Sequence, residues 1–441
     1  MVSGSDYFEN DGYKKAVARV ETLVDSGSFS QLEAYVKDSG VVTGFALVDN
    51  RVCYVYSQFG PVNRAHASKI ANVYNMAQAA GAPVIGLLDS NGMDISEGMD
   101  TLNAYGKIFK VMSDANGVIP QYSVVLGSCM GVAAVIAGLS DFTFAVKDTE
   151  LFVQSPNTVS GVNPTDLGKL FKAHYHAENT GAVNMVFDDE KACLLGVKKF
   201  LSFMPLNNLE DTPVLLSNDE SADVSYLESA DSGKEVDVYK VIKAIADNGE
   251  YIEISGKWGK DIAVVFARVD GFSVAFLANN GPLSNAGIKK LIKTVTFCDA
   301  FNLPIVTLSN ISAFDSDLVN QKDIILSASS LAYVFANSTV PKVNIILKNA
   351  NGAAYMLFNS KFIGADLVYA WPNSNANLFE DEAAKAILHQ DLPRLDSALQ
   401  SGYIDMVIAP LETRKIIVTA IENLLTKRVF KHPKKHGSMC F

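Results

Sequence analysis

Two short stretches carry the residues whose types and spacing could do chemistry. In the first, Ser123 to Leu126 reads as a β-rich run, followed by a small-residue turn and a helix opening near Gly131. The second, beginning at Val340-Pro341, has the same layout, with Lys348, Asn349 and Asn351 in the turn before Gly352 and a small-residue helix. A buried strand that breaks into a helix exposes N–H groups with no intrahelical acceptor, and the helix dipole favours negative charge there. Small residues let a ligand oxygen approach that backbone closely. Such cradles suit enolate or oxyanion chemistry, where preorganised donors stabilise developing charge on oxygen. The apolar run after Val124 also has the composition of a membrane span, but the polar turn of the second copy is poorly tolerated in lipid.

No side-chain nucleophile motif accompanies the cradles. Gly-x-Ser-x-Gly, His-Glu-x-x-His and a P-loop are all missing. The histidines (His66, His174, His176, His389, His432, His436) have no shared-ligand spacing and read as structural or solvent-facing; no metal site is expected. Cys53, Cys129, Cys193, Cys298 and Cys440 are scattered, without a Cys-x-x-Cys pair, and reduced thiols of this kind fit a cytoplasmic protein. The N-terminus has no signal-peptide pattern. A net charge of −11 argues against nucleic-acid binding.

The elements that position the cradles are duplicated. Gly131 and Gly352 are 221 residues apart, and so are Pro120 and Pro341, Phe45 and Phe266, and Pro83 and Pro304. Each half alternates strands with helices, and its strands are apolar on both faces, which argues for α/β domains. The first half reads as a helix over 12–25, a short amphipathic stretch at Leu32 to Val36, and a hairpin around Asp49-Asn50. A helix over 65–80, a strand at Val84 to Leu88 and a helix over 97–113 lead to the first cradle. Residues 165–199 read as helical with a variable middle. The acidic, Ser-rich segment 216–236 reads as a linker between domains 1–215 and 237–441. The second half repeats the order, and the final helix, 411–426, runs into a basic tail.

Several motifs resemble those of biotin-dependent acyl-CoA carboxyltransferases, the β subunits of propionyl- and acetyl-CoA carboxylases and the α subunits of sodium-pumping decarboxylases. They are Asp89-Ser90-Asn91-Gly92-Met93-Asp94, Gly117-Val118-Ile119-Pro120-Gln121, Asp141-Phe142-Thr143-Phe144, Phe297-Cys298-Asp299-Ala300-Phe301-Asn302-Leu303-Pro304, Asn359-Ser360-Lys361-Phe362-Ile363-Gly364-Ala365-Asp366, Pro205 to Asp211 and the tail at 434–437. The resemblance implies two tandem crotonase-like (ClpP-like) domains made of repeated β-β-α units. It implies acyl-CoA on the N-terminal half, carboxybiotin on the C-terminal half, and a homo-oligomer, commonly a hexamer built as a trimer of dimers.

Carried over position by position, the resemblance puts one oxyanion hole at the amides of Gly131 and Val132 and the other at those of Ala353 and Ala354. Asn91, Gly92, Met93, Asp94 and Gly352 would contact substrate. Val132 stands where the family usually has a second glycine, and Asp94 where it has arginine; a β-branched residue narrows the allowed backbone. Biotin would arrive on a separate carrier protein, since the chain has no Ala-Met-Lys-Met motif. A biotin carboxylase or a membrane decarboxylase subunit would complete the assembly. Two alternatives stand beside active carboxyl transfer: a catalytically weak scaffold paralogue in a hetero-oligomer, and a biotin-independent crotonase-like acyl-CoA enzyme. The apolar helices at 130–139 and 353–358 are expected to bury a face against a neighbouring chain.

Overall fold

The structure is a computed structural model that describes residues 8–36, 38–155, 158–160, 168–215, 224–379, 386 and 395–435. His389, His436, Cys440, the end of the basic tail and residues 216–223 of the expected linker lie outside these. The chain divides into two compact units, Met1–Asp211 and Thr212–Phe441. Ser225–Ser229, expected within a linker, is helical, and Leu227 and Val236 are buried in the core of the second unit.

In the first unit the strands are β1 (Ser30–Leu32), β2 (Val41–Val48), β3 (Arg51–Gln58), β4 (Val84–Ser90), β5 (Gln121–Met130), β6 (Phe142–Val146), β7 (Leu151–Phe152) and β8 (Met185–Phe187). They form one sheet in the order β1-β2-β3-β4-β5-β6-β8, with β7 paired to the far end of β5. The first two pairings are antiparallel and the others parallel. The Leu32–Val36 stretch is therefore the edge of a sheet and its exit, not a helix.

The second unit repeats this with β9 (Tyr251–Ile254), β10 (Ile262–Val269), β11 (Phe272–Asn279), β12 (Ile305–Ile311), β13 (Lys342–Asn351), β14 (Leu367–Ala370), β15 (Asn375–Asn377) and β16 (Met406–Val407). The order is β9-β10-β11-β12-β13-β14-β16, with β15 paired to the end of β13. These repeated β-β-α units are the crotonase-like fold.

Local chemistry explains why the two copies fold alike. Each hairpin turn has two consecutive positive φ angles, at Asp49 and Asn50 (50° and 61°) and at Asp270 and Gly271 (52° and 80°), the geometry of a two-residue β-turn. A carboxylate holds each turn: Asp25 accepts from the amides of Asp49 and Asn50 at 3.2 and 2.8 Å. Asp247 accepts from Asp270 and Gly271 at 2.8 and 2.7 Å. Helix Arg64–Ala80 starts under the Asn63 side chain and ends at Gly81, φ 64°; helix Asn285–Ala300 starts under Ser284 and is followed by Asn302, φ 56°. Val62 bridges Met93 in the first unit and Leu283 bridges Phe314 in the second, all at the 221-residue offset.

Both central strands are fully buried along most of their length, as parallel strands covered on two faces must be. The helices after each cradle pack inward: Ala133, Ala134, Ile136 and Ala137 are buried, and so are Ala354 and Tyr355. Ala353 and Met356 of the second stay exposed, so that helix also presents a face outward. Among the described residues no helix is long and apolar enough to cross a membrane.

Candidate active site

Each cradle sits where the longest strand of its unit runs out. β5 does not end at Leu126, where the sequence reads a turn; it continues to Met130 because Cys129 and Met130 pair with β7. β13 likewise continues to Asn351, pairing with β15. The chain then turns at one glycine in each half, Gly131 at φ 63° and Gly352 at φ 60°, where an L side chain is disfavoured.

Val132, by contrast, has φ −63° and ψ −23°, ordinary helical values that a β-branched residue accepts without strain. Its side chain packs partly against the core. The expected backbone conflict at this position is therefore absent.

The N–H groups are used differently from the expectation. Gly131 donates to the carbonyl of Phe152 at 2.7 Å, closing the β7 ladder. The amides of Val132 and Ala133 come next, at the opening of helix Ala133–Leu139, where a backbone N–H has no intrahelical acceptor. Ala133 was not singled out by sequence; only the strand register reveals that the open pair is shifted by one. In the second unit the amides of Ala353 and Ala354 stand in the first turn of Gly352–Met356, again without an intrahelical acceptor.

The second cradle opens into a cavity of about 520 Å³. Its walls are mainly apolar, with Ala350, Gly352, Ala353, Met356, Phe362, Leu378, Tyr403 and Ile404 among them, and Asn377 and Ser397 as polar groups. Phe362 and Tyr403 pack with ring centroids 4.5 Å apart and ring planes inclined at 53°. A Cβ on Gly352 would lie 3.1 Å from the carbonyl oxygen of Leu378, so the glycine keeps this wall open. Most of these wall residues lie far apart in sequence, and no local pattern marks them.

Asn91 to Asp94 lie against the first cradle. Gly92 has φ 100°, and its Cα faces the carbonyl of Met130, where a Cβ would approach to 3.2 Å. Asn91 and Met93 are exposed. The Asp94 carboxylate caps the turn Ile95–Glu97, accepting from the Ser96 hydroxyl at 2.6 Å and the Ser96 amide at 3.0 Å. Those two bonds hold its carboxyl below the usual range, so it is an anion near the cradle with a structural bond to keep. The histidines stand away from both turns in role: His66 is buried against Gln58 at 3.1 Å and pushed down to about 3 by burial. His176 donates to the carbonyl of Leu151 at 2.7 Å.

The chain matches the carboxyl transferase domain over residues 9–398. It is 34% identical to the methylmalonyl-CoA decarboxylase subunit alpha of Veillonella parvula, covering 97% of this chain and 93% of that one. It is 32% identical to the propionyl-CoA carboxylase beta chain of Roseobacter denitrificans, covering 97% and 94%. Transcarboxylase 12S, solved as a hexamer assembly with hydrolysed methylmalonyl-coenzyme A bound, superposes with a TM-score of 0.91 at 30% identity, over 97% of this chain and 92% of that one. A fold of two tandem crotonase-like halves, each ending its central strand in a backbone cradle, thus coincides with a near-full-length family match, and the chain belongs to the biotin-dependent acyl-CoA carboxyltransferases.

Proposed function

We propose that the chain transfers a carboxyl group between carboxybiotin and an acyl-CoA thioester, with one cradle serving each partner. The observation that carries this reading is the pair of first-turn backbone donors found twice at the same offset, at Val132 and Ala133 and at Ala353 and Ala354, each just beyond a left-handed glycine. In the first half these amides bind the thioester oxygen and stabilise the charge it gains as the α-carbon becomes enolate-like. Each donor of this kind contributes on the order of 3 kcal/mol. Gly131 contributes its left-handed turn, with its own N–H bonded to Phe152.

The cavity beside Gly352 suits the biotin bicycle: it is mainly apolar, roomy enough to admit it, and kept open by a glycine where a Cβ would collide with a carbonyl oxygen. Biotin supplies the transferable carboxylate on its ureido ring when it is bound. Ala353 and Ala354 orient the ureido oxygen through their amides, and the ring faces of Phe362 and Tyr403 exclude water from it. The cofactor arrives on a separate carboxyl carrier protein, and a biotin carboxylase or a membrane decarboxylase subunit completes the system.

The test is a carboxyl-transfer assay on the purified chain with methylmalonyl- or malonyl-CoA as carboxyl donor and free biotin as acceptor. Biotin-dependent turnover of one of these thioesters is expected. A folded, oligomeric protein that turns over none of them, with free biotin or with a biotinylated carrier, would leave the scaffold reading in its place.

A further inference from the structure

In both units the central strand is bulged just before the cradle, and one side chain fills the bulge. Leu88 faces Val125 and Ser90 faces Cys129, so Asp89 alone stands opposite Leu126, Gly127 and Ser128. In the second unit Ser309 faces Ile346 and Ile311 faces Ala350, leaving Asn310 opposite Leu347, Lys348 and Asn349. Asp89 accepts the Ser128 amide at 3.2 Å, and Asn310 accepts the Asn349 amide at 3.3 Å. The two bonds are the same bond at the 221-residue offset.

Each plug is itself held. Arg19, with its side chain 3% exposed, donates to Asp89 at 2.8 Å, to the carbonyl of Leu126 at 3.2 Å, and to both oxygens of Glu190 at 3.0 and 2.6 Å. The Asp89 carboxylate lies so close over Gly127 that a Cβ there would meet it at 2.0 Å. Asn310 donates to Asn280 at 2.9 Å and also accepts the Asn349 side chain at 3.2 Å. A bulge bends its strand and re-aims the residues beyond it, and the cradle glycine comes three residues after each clamped amide.

We infer that Asp89 and Asn310 are positioning residues, each filling the bulge in the central strand of its half and setting the aim of the N–H cradle beyond it. The role in turnover rests on the proposed carboxyl transfer; the role in holding the turn does not. One half uses an ion-paired carboxylate and the other a neutral amide, so the shared function is the side-chain oxygen that accepts the backbone amide. An amide at position 89 should therefore serve.

The test compares full-length Asp89→Ala, Asp89→Asn, Asn310→Ala and a core control, Val73→Ala in helix Arg64–Ala80, which lowers stability without touching a bulge. Hydrogen–deuterium exchange over residues 127–135 should speed up about tenfold in Asp89→Ala, and over 348–356 in Asn310→Ala, but not in the control. With methylmalonyl-CoA and free biotin, kcat should fall about tenfold in both alanine variants while the KM for the thioester stays within roughly twofold. Asp89→Asn should recover kcat to within about threefold of the parent. Exchange in the alanine variants equal to that of the control would overturn the inference, as would a kcat that survives Asp89→Ala. A parent protein without turnover would end the proposed function alone, and the exchange data would still decide the clamp.

Discussion

At the scale of residues, the two cradle glycines differ in their surroundings. Both have left-handed backbones, which an alanine adopts at a cost of about 1–2 kcal/mol. Beyond that strain, a Cβ at Gly131 meets only the Val153 carbonyl at 3.9 Å, whereas one at Gly352 meets Leu378 at 3.1 Å. Gly131→Ala should therefore lose about 1–2 kcal/mol in denaturant titrations and Gly352→Ala more, with carboxyl transfer falling in both. A Gly352→Ala variant as stable as the parent would contradict the close-packed wall. Asp94 offers a second test. Its carboxylate is an exposed anion beside the first cradle and within a Debye length, about 8 Å at physiological salt, of any phosphate-bearing substrate that reaches Met93. Asp94→Arg should tighten binding of methylmalonyl-CoA, an effect that shrinks as salt rises, and should lower stability slightly because its cap on the Ser96 amide is lost. Titration calorimetry at two salt concentrations separates this from an effect on packing. Unchanged affinity at low salt would remove Asp94 from the substrate's surroundings.

At the scale of elements, much of the duplicated layout could be read directly, because turn chemistry is local. Asp49-Asn50 and Asp270-Gly271 are residues that accept positive φ, and Gly81 and Asn302 end their helices for the same reason. The features that stayed hidden depend on distant pairing. Gly127-Ser128-Cys129 reads as a turn, yet it is strand because β7 lies alongside, and that pairing also takes the Gly131 amide. The cavity beside Gly352 was hidden too, its walls coming from β13, β15 and residues 397–404. A further duplicated element is a buried lysine in the helix after each hairpin. Lys69 donates to the Val41 carbonyl at 3.0 Å and Lys290 to that of Ile262 at 2.6 Å. Burial pushes each down to about 8, from 10.5. Below that pH both folded and unfolded chains hold the proton, and the folded state bears the full penalty of a buried cation. Between about 8 and 10.5 the unfolded chain binds more protons, so stability gains from these lysines as pH rises. Lys69→Met and Lys290→Met should each remove that gain. Unfolding curves at pH 7.5 and pH 9.5 should show the parent improving relative to either variant; a pH-independent difference would mean the amines stay protonated in the fold.

At the scale of the whole molecule, besides Met356 after the second cradle, a further set of large apolar side chains is open to solvent after the third long strand of each unit. In the first unit these are Met93, Ile95, Met99 and Leu102, with Ile95 88% exposed; in the second they are Leu318, Val319, Ile325 and Leu326, with Ile325 77% exposed. Single exposed apolar residues need no explanation, but four long apolar side chains exposed within one short segment of each unit mark interaction surfaces. The same clusters border the Asn91–Asp94 loop and the segment after β12, so covering them would also enclose the ground next to the cradles. Obligate interfaces of this kind are core-like and bury several thousand Å². The expected occupant is another copy of the chain, as in the hexameric assembly reported for transcarboxylase 12S. Light scattering at micromolar concentration should give a mass several times 47.5 kDa. Ile95→Asp and Ile325→Asp place a charge in each cluster and should shift the protein to smaller species. Because each unit keeps its own core, circular dichroism of the dissociated form should remain that of a folded chain. A parent protein that runs as a monomer would show that the two clusters face something other than a second copy.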